Sequence, residues 1–458
     1  MPEPFTALIM AAGKGTRMRS SVPKVLHLVA GRPMVEWVVG AAREAGAGRV
    51  VCVTRPGDGV AEGLPGGVEA VEQTEGEGTG AAVLAARQAL GDGMLVVLSA
   101  DHPLVAGELV RGLVEEHRRQ RAAATLLTTE QLDPTGYGRI VRAGDGSVER
   151  IVETKHTENL SPEELAIREV NIGAYAFEAP SLLEALEQVR EEQGERYLTA
   201  VFPVLRSQGK RVAAHLTHDG RSALGVNDRA GLMEAERLAR RRILEDHARS
   251  GVTFVSPDST TIDAGVEIGP DTVVGPGVTL RGVTAVGGGA ELGPQVTAID
   301  ARLGDRVLVA HAYLVDCEVG NGASVGPFAY LRPGAVIGEG AKVGAYVEVK
   351  NSEIGAGAKV PHLSYIGDAD VGEGSNVGAG NITANYDGFQ KHRTKIGKRV
   401  KTGVHNSFVA PVTVGDGAYI GAGSVITEDV PAGALGISRP EQKNIEGYAE
   451  RAERKHRT

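Results

Sequence analysis

Two different periods of apolar residues divide the chain. Up to about residue 226, short apolar runs alternate with helical ones. Residues 8–12, 50–54, 94–99, 125–129 and 212–216 read as strands, and residues 34–45, 80–90, 108–121 and 180–188 as helices. Such alternation predicts a Rossmann-like α/β domain with a mostly parallel sheet and right-handed crossovers. After Gly251 the apolar residues recur every six positions, usually followed by glycine: Ile268, Val274, Leu280, Val286 and Leu292. The phase slips, returns at Leu303 and Val309, and runs from Val319 through Val325, Leu331, Ile337 and Val343 to Val349. It resumes at Ile396 and continues through Thr402, Phe408, Val414 and Ile420 to Ile426. A period of six is neither helical nor that of one long strand. It predicts a parallel β-helix with one aliphatic residue per short strand turned inward, and room for about ten coils.

Between the two patterns, residues 227–250 hold many helix formers and no proline. Leu232, Ala235, Leu238, Ala239 and Ile243 form a partial apolar stripe beside Arg237, Arg240, Arg241 and Arg242, so a connecting helix is expected with its arginines solvated. The expected division is therefore 1–226 for the α/β domain, 227–251 for the helical linker, 252–441 for the β-helix and 442–458 for a charged, fraying tail.

Composition adds little beyond this. Glycine supplies 63 of 458 residues, roughly twice its usual share of about 7%, as β-helix corners require. The formal net charge of −9 gives no sign of a general nucleic-acid binder. Two cysteines, Cys52 and Cys317, lie far apart and form no disulfide framework. No signal-like opening and no apolar run of about 18 residues is present, so the expected protein is soluble, cytoplasmic and free of membrane.

The first strand leads into Met10-Ala11-Ala12-Gly13-Lys14-Gly15-Thr16-Arg17, and Lys24 follows a proline. Glycines let a backbone approach an anion, and the cations supply charge where a polyphosphate would sit. The run is not a Walker loop, and Met18 stands where a dinucleotide fingerprint has its third glycine. Asp101 follows another apolar strand, a natural place for a Mg²⁺ ligand, and the amide oxygen of Asn227 could complete the shell. A turn-forming Asp and a helix-capping Asn explain the same two residues without a metal.

L-x-x-A-A-G-x-G-T-R-M, from Leu8 to Met18, followed by P-K resembles the signature of sugar-phosphate nucleotidylyltransferases. The resemblance implies that Met10, Ala11, Ala12, Gly13, Ser99 and Ala100 line the nucleotide site. It also implies that Arg17 and Lys24 stabilise charge during attack on an α-phosphate, and that Asp101 and Asn227 bind Mg²⁺. By the same resemblance, Gln73, Gly78 and Thr79 read the uracil of UTP, and Gly138, Glu153 and Asn171 hold an amino sugar. Glu77 departs from the pattern, standing where an apolar residue is common.

Three hexapeptides per coil resembles the left-handed hexapeptide-repeat family. An aliphatic ladder carries no chemistry, so function must come from departures, chiefly residues 381–393, which break the period as a loop. Arg332 and Lys350 lie one coil apart, so both could reach one sugar phosphate, and His362 is an imidazole suited to taking a proton from an attacking amine. The whole chain is similar to bacterial bifunctional enzymes that are glucosamine-1-phosphate acetyltransferases and N-acetylglucosamine-1-phosphate uridylyltransferases. That similarity implies His362 as general base, Arg332, Lys350, Tyr365 and Asn376 as sugar-phosphate ligands, and Ala379, Asn385, Tyr386, Val404, Ala422 and Arg439 as acetyl-CoA contacts. Val404 stands where the family often has serine. The similarity further implies a homotrimer through the β-helix, with Lys391 reaching a neighbouring subunit. Two rivals stay open: a single-activity nucleotidylyltransferase with a structural β-helix, and a scaffold with a degenerate head.

Overall fold

A computed structural model describes residues 4–152, 161–191, 194–220 and 224–456. The chain falls into two compact units, Met1–Arg242 and Ile243–Thr458.

The first unit is built on a sheet whose strands lie in the order Val212–Thr217, Ala124–Thr129, Val170–Glu178, Met94–Ser99, Phe5–Met10, Ala47–Thr54 and Glu69–Glu72. The sheet is mixed: only Val170–Glu178 runs against the rest, antiparallel to both of its neighbours. A hairpin, Arg139–Arg142 with Val148–Val152, joins that strand at Val170. Phe5–Met10 is central, and Ala7, Leu8 and Ile9 are completely buried. Leu8 points into one apolar core and Ala7 and Ile9 into the other, as period-two geometry demands, which is why a strand covered on both faces reads as an unbroken apolar run.

This strand stops at Met10, so Ala11 and Ala12 already belong to the loop, though the Ala11 N–H still donates to the Val53 carbonyl at 2.8 Å. The expected helix at 80–90 is two, Thr79–Ala85 and Arg87–Leu90. The carboxyl ends of Phe5–Met10, Ala47–Thr54 and Met94–Ser99 come out side by side. That edge of a doubly wound sheet is where ligands bind.

The helix Arg229–Arg249 crosses the boundary between the units. In the first unit Glu236 accepts a hydrogen bond from the Ala30 N–H, and in the second Leu244 is buried against the β-helix core.

The second unit is a left-handed parallel β-helix of three parallel sheet faces. Every residue of the six-residue ladder, from Ile268 to Ile426, is buried, each full aliphatic burial being worth about 1.5–3 kcal/mol. Register partners such as Thr261, Thr279 and Thr297 are 18 residues apart, three hexapeptides per coil. The slips in the pattern are shortened coils: Leu308 pairs with Ser324, only 16 residues on. One coil is long. Ile382 pairs with Ser407, 25 residues on, a surplus of seven that projects from the coil after Ala384.

The projection is narrower than residues 381–393. Asn381 and Thr383 stay inside the coil, where the Asn381 amide donates to the Gly378 and Gly403 carbonyls at 2.6 and 3.0 Å. A polar residue thus fills an aliphatic position by satisfying backbone acceptors. The tail ends in an exposed helix, Tyr448–His456.

Candidate active sites

In the first unit a cavity of about 340 Å³ opens beyond the strand ends, lined by the 10–14 loop, Lys24, Gln73, the Glu77-Gly78-Thr79 turn, Ser99 and Asp101. Two glycines shape it. Gly15 has φ +59°, and a Cβ there would meet the Lys24 Cβ at 2.7 Å, so the lysine stem crosses directly over the loop. Gly78 has φ +98°, and a Cβ would strike the Arg196 carbonyl, which instead receives the Gly80 N–H at 2.7 Å. The chain around Arg196 thereby clamps the turn that carries Gln73 and Thr79.

Asp101 is the electrostatic centre of this site. Its Oδ2 faces the Lys24 Nζ at 2.5 Å, and its Oδ1 accepts from the Ser99 hydroxyl at 2.6 Å and meets His102 Nδ1 at 2.9 Å. Burial opposes ionisation, but His102 and Lys24 outweigh it and hold the carboxyl far below the usual carboxylate range. The Asp101 carbonyl accepts from the Val226 N–H at 2.8 Å, which brings Asn227 alongside. Asn227 Oδ1 in turn accepts from the Arg17 guanidinium at 2.9 Å. Both oxygens expected to bind a metal are thus engaged by the two cations expected to bind phosphate.

Several expected residues sit apart from the cavity. Arg17 is turned to Asn227 and does not line it. Ala100 is buried and touches the site only through its N–H, bonded to the Met10 carbonyl at 3.1 Å. Gly138 and Asn171 are joined to each other by a 2.9 Å backbone bond, with the Asn171 amide on the Tyr175 hydroxyl, and neither lines the cavity. Glu153 lies outside the described residues. Sequence reasoning passed over Arg55, which follows the strand Ala47–Thr54 and lines the cavity with Glu77. Its position at a strand's carboxyl end was the available signal.

The second unit gathers its polar residues on corners. Asp368, 6% exposed and with φ +48°, accepts from Asn351 at 2.6 Å, from Lys350 at 3.1 Å and from Asn385 at 2.5 Å. Burial pushes its pKa up, but these three donors pull it below the ordinary value. In the same ion pair Lys350 is held charged, while Lys391 of the same chain, beside Lys350, has its pKa lowered by that neighbouring ammonium. One coil away, Arg332 donates to Glu348 at 2.8 Å. Tyr365 pairs in register with Glu348, and a Cβ on Gly367 would run into its phenol ring, so the ring lies over the strand beside Lys350.

His362 ends the strand Lys359–His362, is exposed, and its imidazole has no hydrogen-bond or ion-pair partner among the described residues. Asn376 is exposed between Lys359 and Lys401. Ala379, Val404 and Ala422 occupy one corner in successive coils, their carbonyls accepting from His405, from Gly423 and, at 2.8 Å, from the Arg439 guanidinium. Tyr386 is exposed on the projecting loop, with its hydroxyl on the Gly388 carbonyl at 2.6 Å. Asp368 was missed because an aspartate at a corner reads as a turn former. It links the expected sugar ligand Lys350 to the expected coenzyme ligand Asn385.

The chain matches the family of MobA-like NTP transferase domains over residues 7–212. It matches the bacterial transferase hexapeptide family, of six repeats, over residues 316–351 and 393–428. It is 47% identical to the bifunctional protein GlmU of Streptomyces avermitilis, over 98% of this chain and 94% of that protein. Similarity to the GlmU proteins of Nocardia farcinica, 47% over 98% and 94%, and Halalkalibacterium halodurans, 45% over 96% and 98%, is equally extended.

Proposed function

Because this chain belongs to the family of bifunctional GlmU proteins, uridylyltransferase and acetyltransferase in one polypeptide, we propose which residues perform each step. In the β-helix unit the amine of glucosamine-1-phosphate attacks the thioester carbonyl of acetyl-CoA. His362 takes the amine proton, the new amide bond forms, and the coenzyme leaves as its thiol. Arg332, Lys350 and Tyr365 hold the sugar phosphate with Asn376, while Asn385, Tyr386 and the Ala379–Val404–Ala422 corner with Arg439 hold the coenzyme. The observation that carries this assignment is Asp368, which pins Lys350 and Asn385 to one carboxylate.

In the first unit the phosphate oxygen of N-acetylglucosamine-1-phosphate attacks the α-phosphorus of UTP, and pyrophosphate leaves. Lys24 and Arg17 balance the charge that gathers on the phosphates, a reaction of positioning and neutralisation. Gln73, Gly78 and Thr79 address the uracil, and Gly138, Glu153 and Asn171 the sugar. Asp101 and Asn227 would hold Mg²⁺: both are oxygen donors, one firmly ionised, as that cation prefers. Mg²⁺ supplies additional neutralisation of phosphate charge when bound.

The protein works as a homotrimer of β-helices. Supporting this is a corner column of His311, Phe328 and Tyr346 with successive ring centroids 5.2 Å apart, Phe328 exposed by 53% and Tyr346 by 60%. Light scattering should return three times the chain mass, and a monomer would refute the assembly. UTP, acetyl-CoA and two free buried cysteines fit a cytoplasmic setting. The test of the second site is thiol release from acetyl-CoA on adding glucosamine-1-phosphate. His362→Ala should lower it by about 10²–10⁴-fold, and unchanged release would remove His362 from the mechanism.

A further inference from the structure

Beside the catalytic groups of the first unit stands an ion cluster that neither activity calls for. Lys14, in the glycine loop, places its Nζ 2.9 Å from Glu77 Oε1. Arg55 holds the other carboxylate oxygen, with Nη2 3.2 Å from Glu77 Oε2, while its Nε donates to the Ala12 carbonyl at 2.7 Å. The Glu77 backbone is fixed as well, its carbonyl accepting from the Arg196 N–H at 2.8 Å. All three side chains line the cavity. They join the loop that would face phosphates to the turn that would read the base. We infer that Glu77 is a positioning residue for the nucleotide: it holds Lys14 in the free enzyme and yields it to the incoming triphosphate, while Arg55 keeps the released carboxylate neutralised.

The physics favours an exchange over a permanent bridge. Lys14 and Glu77 are 57% and 48% exposed in their side chains, and ion pairs that open to solvent contribute little. A polyphosphate with several charges competes easily for such a lysine. A bare carboxylate left at the cavity rim would then repel the same phosphates. Arg55 prevents this because it is anchored to the Ala12 carbonyl and stays in place whether or not Lys14 moves. Glu77 therefore acts through Lys14 and Arg55, setting how readily the nucleotide is accepted.

The inference rests on the first unit using UTP, and a double-mutant cycle on the full-length protein separates the two. Glu77→Leu should lower the KM for UTP by about two- to fivefold, with the effect on KM and not on kcat. Arg55→Ala should raise it by a similar factor, and the double variant should match Glu77→Leu alone, because Arg55 has nothing left to neutralise. The differences should shrink at high salt, as exposed pairs are screened. Where the leucine variant fails to melt cooperatively, Glu77→Gln carries the same test, since it removes the charge and keeps the shape. A KM that rises in Glu77→Leu, or an Arg55→Ala effect that is the same with and without Glu77, overturns the exchange. No turnover of UTP by folded wild type would instead overturn the reading of the unit itself.

Discussion

The two units place reactive groups by opposite means. In the first, the scaffold ends in a concavity of about 340 Å³, which Lys24, Gln73, Gly78, Thr79, Ser99 and Asp101 line, while Arg17 and Asn227 stand beside it. Its cations arrive already paired, Lys24 with Asp101 and Arg17 with Asn227. In the β-helix His362 stands exposed, its imidazole without a hydrogen-bond or ion-pair partner among the described residues. There the coils supply the rigidity, and one buried aspartate, Asp368, orients Lys350, Asn351 and Asn385. The contrast shows that preorganisation has two sources: loops braced by ion pairs at the end of a sheet, and corners fixed by the repeat itself.

The sharpest way to break the contrast is to remove Asp101. Asp101→Ala should reduce uridylyl transfer by about 10²–10³-fold and leave thiol release to within a factor of about two, because thiol release is proposed for groups of the other unit. Parallel assays of pyrophosphate and thiol formation decide it, and a coordinate loss in folded protein would mean that the sites are not separate. Mg²⁺ and UTP together should raise the melting temperature of the wild type and not that of this variant, a readout independent of turnover.

Much of this division is legible in the amino-acid sequence. The six-residue ladder is legible because each coil imposes the same demand on the chain, so even its slips, at Leu303 and Val319, carry information about shortened coils. The glycine loop is legible because Gly13 to Arg17 are contiguous. Legibility fails where partners are distant. Arg55 follows one strand and Glu77 lies 22 residues on, in the turn before the helix Thr79–Ala85, and no local pattern announces their pairing. Asn381 is hidden for another reason: it breaks the apolar period yet stays inside, since its amide replaces aliphatic packing with backbone hydrogen bonds. The reversed strand Val170–Glu178 looks like any parallel strand in sequence, because burial on both faces erases the sign of its direction.

Asp368 sharpens the comparison next, since in the β-helix it gathers Lys350, Asn351 and Asn385 on one carboxylate, as Asp101 gathers Lys24, Ser99 and His102 in the head. Asp368→Asn should cut acetyl transfer by about ten- to a hundredfold by loosening Lys350 and Asn385, with KM for both substrates rising. It should also cost about 1–3 kcal/mol of stability, as a buried charge-assisted network loses its acceptor. Acid adds a signature. The folded pKa of Asp368 lies below its unfolded value. Its stabilising contribution is therefore complete above about pH 3.9 and is lost as pH falls through the depressed folded value. Wild-type β-helix should lose stability on that acid limb, and the asparagine variant should lose less. Equal slopes would mean that the carboxylate is not ionised in the fold.

The smallest effect tests whether the corner row of the β-helix faces the coenzyme at all. Val404 sits between Ala379 and Ala422 in that row, 45% exposed, with its carbonyl taken by the Gly423 N–H. It offers a ligand only methyl groups, whereas a serine would add a hydroxyl at the same place. One net hydrogen bond is worth about 0.5–1.5 kcal/mol, so Val404→Ser should lower the KM for acetyl-CoA by about two- to tenfold with kcat unchanged. The exposed valine gives up little packing in exchange, so melting temperature should hold within a degree or so. An unchanged KM would mean that this corner does not meet the coenzyme. Its row of carbonyls would then serve only to hold one coil on the next, and the open site would depend on Asn385 and the projecting loop for all its hold on acetyl-CoA.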